Sequence, residues 1–328
     1  YFIGICICFL SNFMCESWDI NFVTIENAIK EFFDSRFEKG EEKPLKRYIN
    51  IFFDFCKIEN IEYVQNIEYK TITAYKIYLK ELKPNIKIGS LDQNLKNISI
   101  FLNYCTNKAH YIQNVTTDLA FEKTIEELNR VKRDPFSKED IEKIFNNLDL
   151  LILTPGGKLV KNHKEYELII KIAQYSGARQ NEIIQLTKED IKQEKDSEIW
   201  YFDINANNGK KIKNIESIRK IPIHSKIEKE VLEHLKGLKQ NKLFNLSSNK
   251  FSSSFSTFKQ KLNFKETQVF HSFRNTLQND LKQSFVELTI IDCIVGHKTS
   301  ESKMTLDYTQ PYYLTTLKNA IEKISYKR

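Results

Sequence analysis

The sequence predicts a mainly helical chain with one small β-hairpin, an α+β protein built from two domains. Three observations carry this reading. Apolar residues recur at spacings of three and four through most of the chain, the period of a helix that buries one face. Only IWYFDI (199–204) and IRKIPI (218–223) have the aromatic and β-branched content of strands, and NANNGKK (205–211) follows the first as a turn. A short basic segment with Arg130, Lys132 and Arg133, closed by Pro135, interrupts the helical pattern where one domain would end.

At 328 residues the chain can bury two cores. With 41% hydrophobic and 28% charged residues it has the composition of a soluble globular protein. A net charge of +7 points weakly to a polyanionic partner. The excess is almost all lysine, and only eight arginines occur. Each arginine is therefore worth examining, because lysine lacks its planar two-pronged grip on phosphate oxygens. The six cysteines (Cys6, Cys8, Cys15, Cys56, Cys105, Cys293) make no metal-binding pattern, and reduced thiols in a cytoplasmic protein are expected.

Taken in order, residues 1–19 open with the apolar run YFIGICICFL, too short to span a bilayer. No basic segment precedes it and no small-residue cleavage site follows, so a truncated or misplaced start, or a packed apolar helix, is expected, with no function assigned. Residues 20–128 read as a basic helical domain: 23–33, 45–56, 71–82 and 90–105 each carry the helical spacing. Ser90 with Gln93 has the form of a capping box starting the last of these. Residues 129–136 are the basic linker. In the second domain, 137–328, Ser137 is expected to cap a helix with Asp140 at its third position, and Phe136 and Ile141 to form a hydrophobic staple. EYELIIKIAQYSG is an apolar helix ended by Gly177, and ARQNEIIQL a second helix. SKIEKEVLEHLKGL and LTTLKNAIEKI are amphipathic helices, and a serine-rich stretch (247–256) precedes HSFR.

The chemistry gathers near the C-terminus. His271 and Arg274, three apart, share one helix face. Gly296 allows a tight turn before His297, and Tyr308 follows. Upstream, Arg179 begins a helix after a glycine turn, with Glu182 one turn on to orient it. Singly, each has a bland reading: a buried basic helix, a weak surface pair, a surface tyrosine. Together they form a set that holds a phosphate and presents a nucleophile to it.

These boxes resemble the tyrosine recombinases, the phage-integrase family of site-specific DNA recombinases. The family pattern is A-R-x-x-E, a hairpin lysine, H-x-x-R, G-H and then a tyrosine. Here it reads Ala178-Arg179 with Glu182, His271 with Arg274, Gly296-His297 and Tyr308, in order, over about residues 130–328. The hairpin motif K-T-x-x-S-x-R aligns with Lys213, Ser217 and Arg219, followed by Ile221-Pro222. Asn214 replaces the threonine, which keeps Lys210 and Lys211 open as alternatives to Lys213. Asn275 stands where a histidine is commoner.

The resemblance implies an N-terminal core-binding domain and a catalytic domain that clamp duplex DNA at specific sites. It implies a homotetramer acting through a 3′-phosphotyrosyl intermediate and a Holliday junction, with room for an accessory protein. No membrane partner, metal or other cofactor is expected. The catalytic set would be Arg179, Lys213, His271, Arg274, His297 and Tyr308, and the tail helix would dock one protomer on the next or pack on its own domain. The rival readings are a type IB topoisomerase, a DNA-binding regulator that has lost catalysis, and a helical scaffold; the scaffold leaves the placement of the scarce arginines unexplained.

Overall fold

The computed structural model describes residues 22–36, 43–84, 86, 88–109, 111–112, 121, 133–152, 162–297 and 311–325. Residues 1–19, Arg130, Lys132 and Tyr308 lie outside that set. The chain divides into two compact units, Tyr1–Arg130 and Val131–Arg328. Among the described residues no helix is long and apolar enough to cross a membrane.

The first unit is helical: α1 (Ile25–Arg36), α2 (Lys43–Ile58), α3 (Tyr69–Leu82) and α4 (Ile88–Asn107). Their apolar stripes meet in an aromatic core in which Phe32, Phe52, Tyr75 and Phe101 are wholly buried. The Phe52 and Tyr75 rings meet edge-on with centroids 4.9 Å apart. The Tyr75 hydroxyl, taken inside with its ring, donates to Asn94 Oδ1 at 3.0 Å. Cys56 and Cys105 are buried free thiols, and burial pushes both pKa values up to about 12, where they are inert. The expected cap at Ser90 is corrected: α4 begins at Ile88, so Ser90 lies inside the first turn. Ile88 packs against the core, which outweighs the local capping signal.

The second unit is built around α7 (His163–Ser176), in which every residue from Leu168 to Ser176 is buried. Around it lie α5 (Lys138–Asn146), α6 (Asp149–Ile152), α8 (Gln180–Ile184), α9 (Ser225–Gly237), α10 (Ser248–Lys261), α11 (Ser272–Gln283), α12 (Leu288–Val295) and α13 (Leu314–Ile321). The Ser137 capping box forms: its hydroxyl accepts from Asp140 N at 3.1 Å, and its own N–H donates to Asp140 Oδ2 at 3.0 Å. The expected hairpin is part of a three-stranded antiparallel sheet, β1 (Ile191–Gln193), β2 (Trp200–Ile204) and β3 (Arg219–Pro222), in that order. Phe202 pairs with Ile191 on one side and Ile221 on the other. β1 was missed because three residues show no periodicity. Pro222 fits because β3 is an edge strand.

The serine-rich stretch is α10. Phe251, Phe255 and Phe258 fall on one face and are buried, so apolar spacing at four and three decides the helix despite the serines between. The tail helix α13 buries Leu314, Leu317 and Ile321 in the core of its own unit.

The Ser137 cap gives a stability prediction. Ser137→Ala should cost about 1 kcal/mol and Ser137→Gly only a few tenths, read as shifts in the urea unfolding midpoint. A loss near zero in Ser137→Ala would mean the hydroxyl bond contributes little.

Candidate active site

Two glycines fix where the functional side chains meet. α7 ends at Gly177, in left-handed backbone (φ +60°). A Cβ there would lie 2.8 Å from Leu277 Cδ2, so glycine spares a clash with that side chain of α11. Arg274, on the first turn of α11, then donates from Nη1 to the Gly177 carbonyl at 3.0 Å. Gly296, at φ +65°, ends α12, and a Cβ on it would lie 2.9 Å from Arg219 Nη1. Its carbonyl accepts from Arg179 Nη2 at 3.4 Å and from Arg274 Nη2 at 3.3 Å. Three arginines from three elements thus surround one residue.

Glu182 makes this crowding tolerable. It is 2% exposed. Oε1 accepts from Arg179 Nη1 at 2.6 Å, while Oε2 accepts from Arg219 Nη2 and from the Arg179 backbone N–H, both at 2.9 Å. Burial alone would raise its pKa; the charge of Arg219 and the bonds from both arginines outweigh burial and hold it below the usual carboxylate range. The pair is therefore a buried one. Glu182 also occupies the start of α8, so the guanidiniums, more than that short helix, make the place for an anion.

Arg219 is the residue that sequence reasoning passed over as a site member. Its side chain is 6% exposed. Nε donates to the Ile294 carbonyl and Nη1 to the Ser217 carbonyl, each at 2.7 Å. It joins β3 to the end of α12 that carries His297. Its position in K-T-x-x-S-x-R was the available signal.

The carboxylates of Glu182 and the buried Asp292, whose charges both bear on Arg274, do not balance three guanidiniums. Burial, followed by the charges of Arg219 and Arg179, pulls the Arg274 pKa down. His271 stands at the N-cap position of α11, beside these groups, without a side-chain capping bond. Burial, then Arg133, Arg274, Arg179 and Lys213, lower its pKa to about 4, so the imidazole is neutral at neutral pH. Arg133 and His271 also line a shared cleft with Gln180, Ser252 and Lys259. Sequence reading had given Arg133 only to the linker. His297 is 59% exposed, and its Nδ1 lies 3.9 Å from Oδ1 of the buried Asp292.

The hairpin lysines separate by environment. Lys210 Nζ donates to both Asp190 oxygens, at 2.5 and 2.7 Å, and to Asn205 Oδ1 at 3.1 Å. Burial would raise the Asp190 pKa, but bonds from Lys210, Thr187 and Asn205 hold it down. The Lys211 backbone is tied to the Gln185 side chain. Lys213 is exposed and close enough for its charge to bear on His271. Arg179, His271, Arg274, His297 and Lys213 therefore share one region. Tyr308 lies outside the described residues. Downstream of it, Tyr312 is engaged: its hydroxyl is 2.7 Å from Thr289 Oγ1.

Two predictions follow from the charge arrangement. Glu182→Gln removes the charge while keeping the shape. It should destabilise the fold by about 3–5 kcal/mol, measured by urea unfolding, because it strands two buried cations. His271 should titrate near pH 4 in the free protein, by ring-proton NMR. The unfolded chain takes its proton first, near pH 6.5, so His271 favours folding above that value and its contribution is lost as pH falls toward 4. A bound phosphodiester should move the ring's titration upward by offsetting the surrounding cations.

Residues 134–314, more than half of the chain, match a family model described as the phage integrase family. Solved structures share the fold. The transposon Tn1549 integrase in complex with a circular intermediate DNA is 14% identical, with a TM-score of 0.59, covering 92% of this chain and 99% of that one. A lambda integrase dimer bound to a COC′ core site is 15% identical, with a TM-score of 0.60, covering 87% and 77%. A lambda integrase tetramer bound to a Holliday junction is 16% identical, with a TM-score of 0.57, covering 84% and 78%. No curated protein matches by sequence.

Proposed function

The chain belongs to the phage integrase family of tyrosine site-specific recombinases, and from this premise we propose how its residues divide the work of cutting and rejoining DNA. The observation that carries the assignment is the convergence of Arg179 and Arg274 on the Gly296 carbonyl, beside His271 and next to His297 in the chain. Two guanidiniums held this close suit the two non-bridging oxygens of one phosphodiester. Their surplus charge has most to gain in the pentavalent transition state, where negative charge on those oxygens is greatest.

Tyr308 is the proposed nucleophile. Its oxygen bonds to phosphorus as the bond from phosphorus to the 5′-oxygen breaks, leaving a 3′-phosphotyrosine. The phenolic proton goes to His271, which is neutral and free to accept it. The bound phosphate raises the basicity of this histidine by partly cancelling the cations around it. Lys213 gives a proton to the departing 5′-oxygen, and His297 donates a hydrogen bond to the phosphate. Attack by another strand's 5′-hydroxyl reverses both proton transfers and rejoins the DNA, so exchange needs no outside energy source.

The helical first unit is assigned as the core-binding domain, 20–128, which clamps duplex DNA with the catalytic domain, 137–328, across the basic linker 129–136. Four copies act on two sites, as with the lambda integrase tetramer on a Holliday junction, and likeness to a transposon integrase favours a mobile-element role. The intact set of boxes disfavours a silent regulator, and the family match disfavours a topoisomerase.

Tyr308→Phe tests the nucleophile. It should bind a nicked suicide substrate as the wild type does and form no covalent complex, seen as a missing shifted band on a denaturing gel. A persisting adduct would move the nucleophile to Tyr312 or Tyr313.

A further inference from the structure

The loop from β2 to β3 is anchored at two points, and Lys213 lies between them. The first anchor is the buried Lys210–Asp190 pair. The second is Ser217, which is 0% exposed and belongs to no proton-transfer step. Its hydroxyl donates to Asn214 Oδ1 at 2.7 Å and accepts from Arg179 Nη1 at 3.2 Å. Its backbone N–H donates to the Asn214 carbonyl at 3.0 Å, and its carbonyl accepts from Arg219. The turn beginning at Asn214 is thus closed twice by one serine, and that serine is held by two of the guanidiniums. Lys213 is the residue just before Asn214 and is exposed.

We propose that Asn214 and Ser217 are positioning residues that hold the Lys213 turn against Arg179, so that the leaving-group proton donor is placed by the same guanidinium that grips the phosphate. The physical need is clear. A lysine side chain has four rotatable bonds and no shape of its own, so its ammonium finds one oxygen quickly only if its backbone is fixed. A misplacement of about 1 Å at a reacting group can cost about a hundredfold in rate. The pair also accounts for Asn214 standing where the resembled motif has threonine. Both side chains carry an acceptor oxygen to offer the Ser217 hydroxyl, and alanine carries none.

This proposal rests on Lys213 as the general acid, and the experiment separates the two. Full-length protein is assayed for single-turnover cleavage of a nicked DNA site with an ordinary strand and with a 5′-bridging phosphorothiolate, whose thiolate leaves without a proton. Lys213→Ala should be slowed about a hundred- to ten-thousandfold on ordinary DNA and recover to near wild type on the sulfur strand. Asn214→Ala should be slowed about a hundredfold and recover in the same way, whereas Asn214→Thr should cleave both strands near the wild-type rate. Ser217→Ala should recover only in part, since it also releases Arg179. Recovery on the sulfur strand certifies that the variant is folded. If Lys213→Ala recovers but Asn214→Ala stays equally slow on both strands, or cleaves ordinary DNA at the wild-type rate, the positioning role is overturned and the general acid stands. If Lys213→Ala is itself fully active, or is not rescued, the general-acid reading falls and takes the positioning role with it.

Discussion

Glu182 accepts from the Arg179 guanidinium on one oxygen and the Arg219 guanidinium on the other, inside a unit that gives its carboxylate almost no water. Burying guanidiniums costs several kcal/mol each unless their charge is met and their donors are bonded. Here the carboxylates of Glu182 and Asp292 and the carbonyls of Gly177, Ser217, Ile294 and Gly296 supply what water would have given. The carbonyls carry no net charge, so positive charge remains in excess. An anion placed here would add the negative charge that the fold leaves out, which is the electrostatic basis of the proposed phosphate site.

The same imbalance explains the histidines. His271 is half-buried among cations and is held neutral, the state a proton acceptor requires. His297 is largely open to solvent and stands before Asp292, whose buried carboxylate lies on the helix that ends at the turn. The two imidazoles thus differ in surroundings, one half-buried among cations and the other exposed, a difference that residue type alone does not express.

The two glycines act through space as well as through backbone conformation. Each ends a helix in left-handed backbone and leaves room that a methyl group would fill, Gly177 against α11 and Gly296 against Arg219. Filling that room would force the Leu277 or Arg219 side chain to shift, even with every arginine still in the sequence.

The sequence by itself marked most of the helices, though not α6, α10 or α12, because a period of three and four reports which face is buried however the faces are later paired. It also determined the boxes around Arg179, His271, Arg274 and His297, because those are short-range signals: a glycine stop, two residues one turn apart, a glycine before a histidine. It marked the Ser137 cap for the same reason. What it left open involves partners far apart in the chain. Lys210, Lys211 and Lys213 are alike as a string of residues and differ only once Asp190 takes Lys210 into a buried pair and leaves Lys213 exposed. Arg219 and Ser217 are fixed by bonds with Glu182, Arg179 and Ile294, 37 to 75 residues away. The short strand β1 and the start of α4 at Ile88 were likewise decided by tertiary packing, because local propensity is worth tenths of a kcal/mol per residue and burying one apolar side chain is worth several times that.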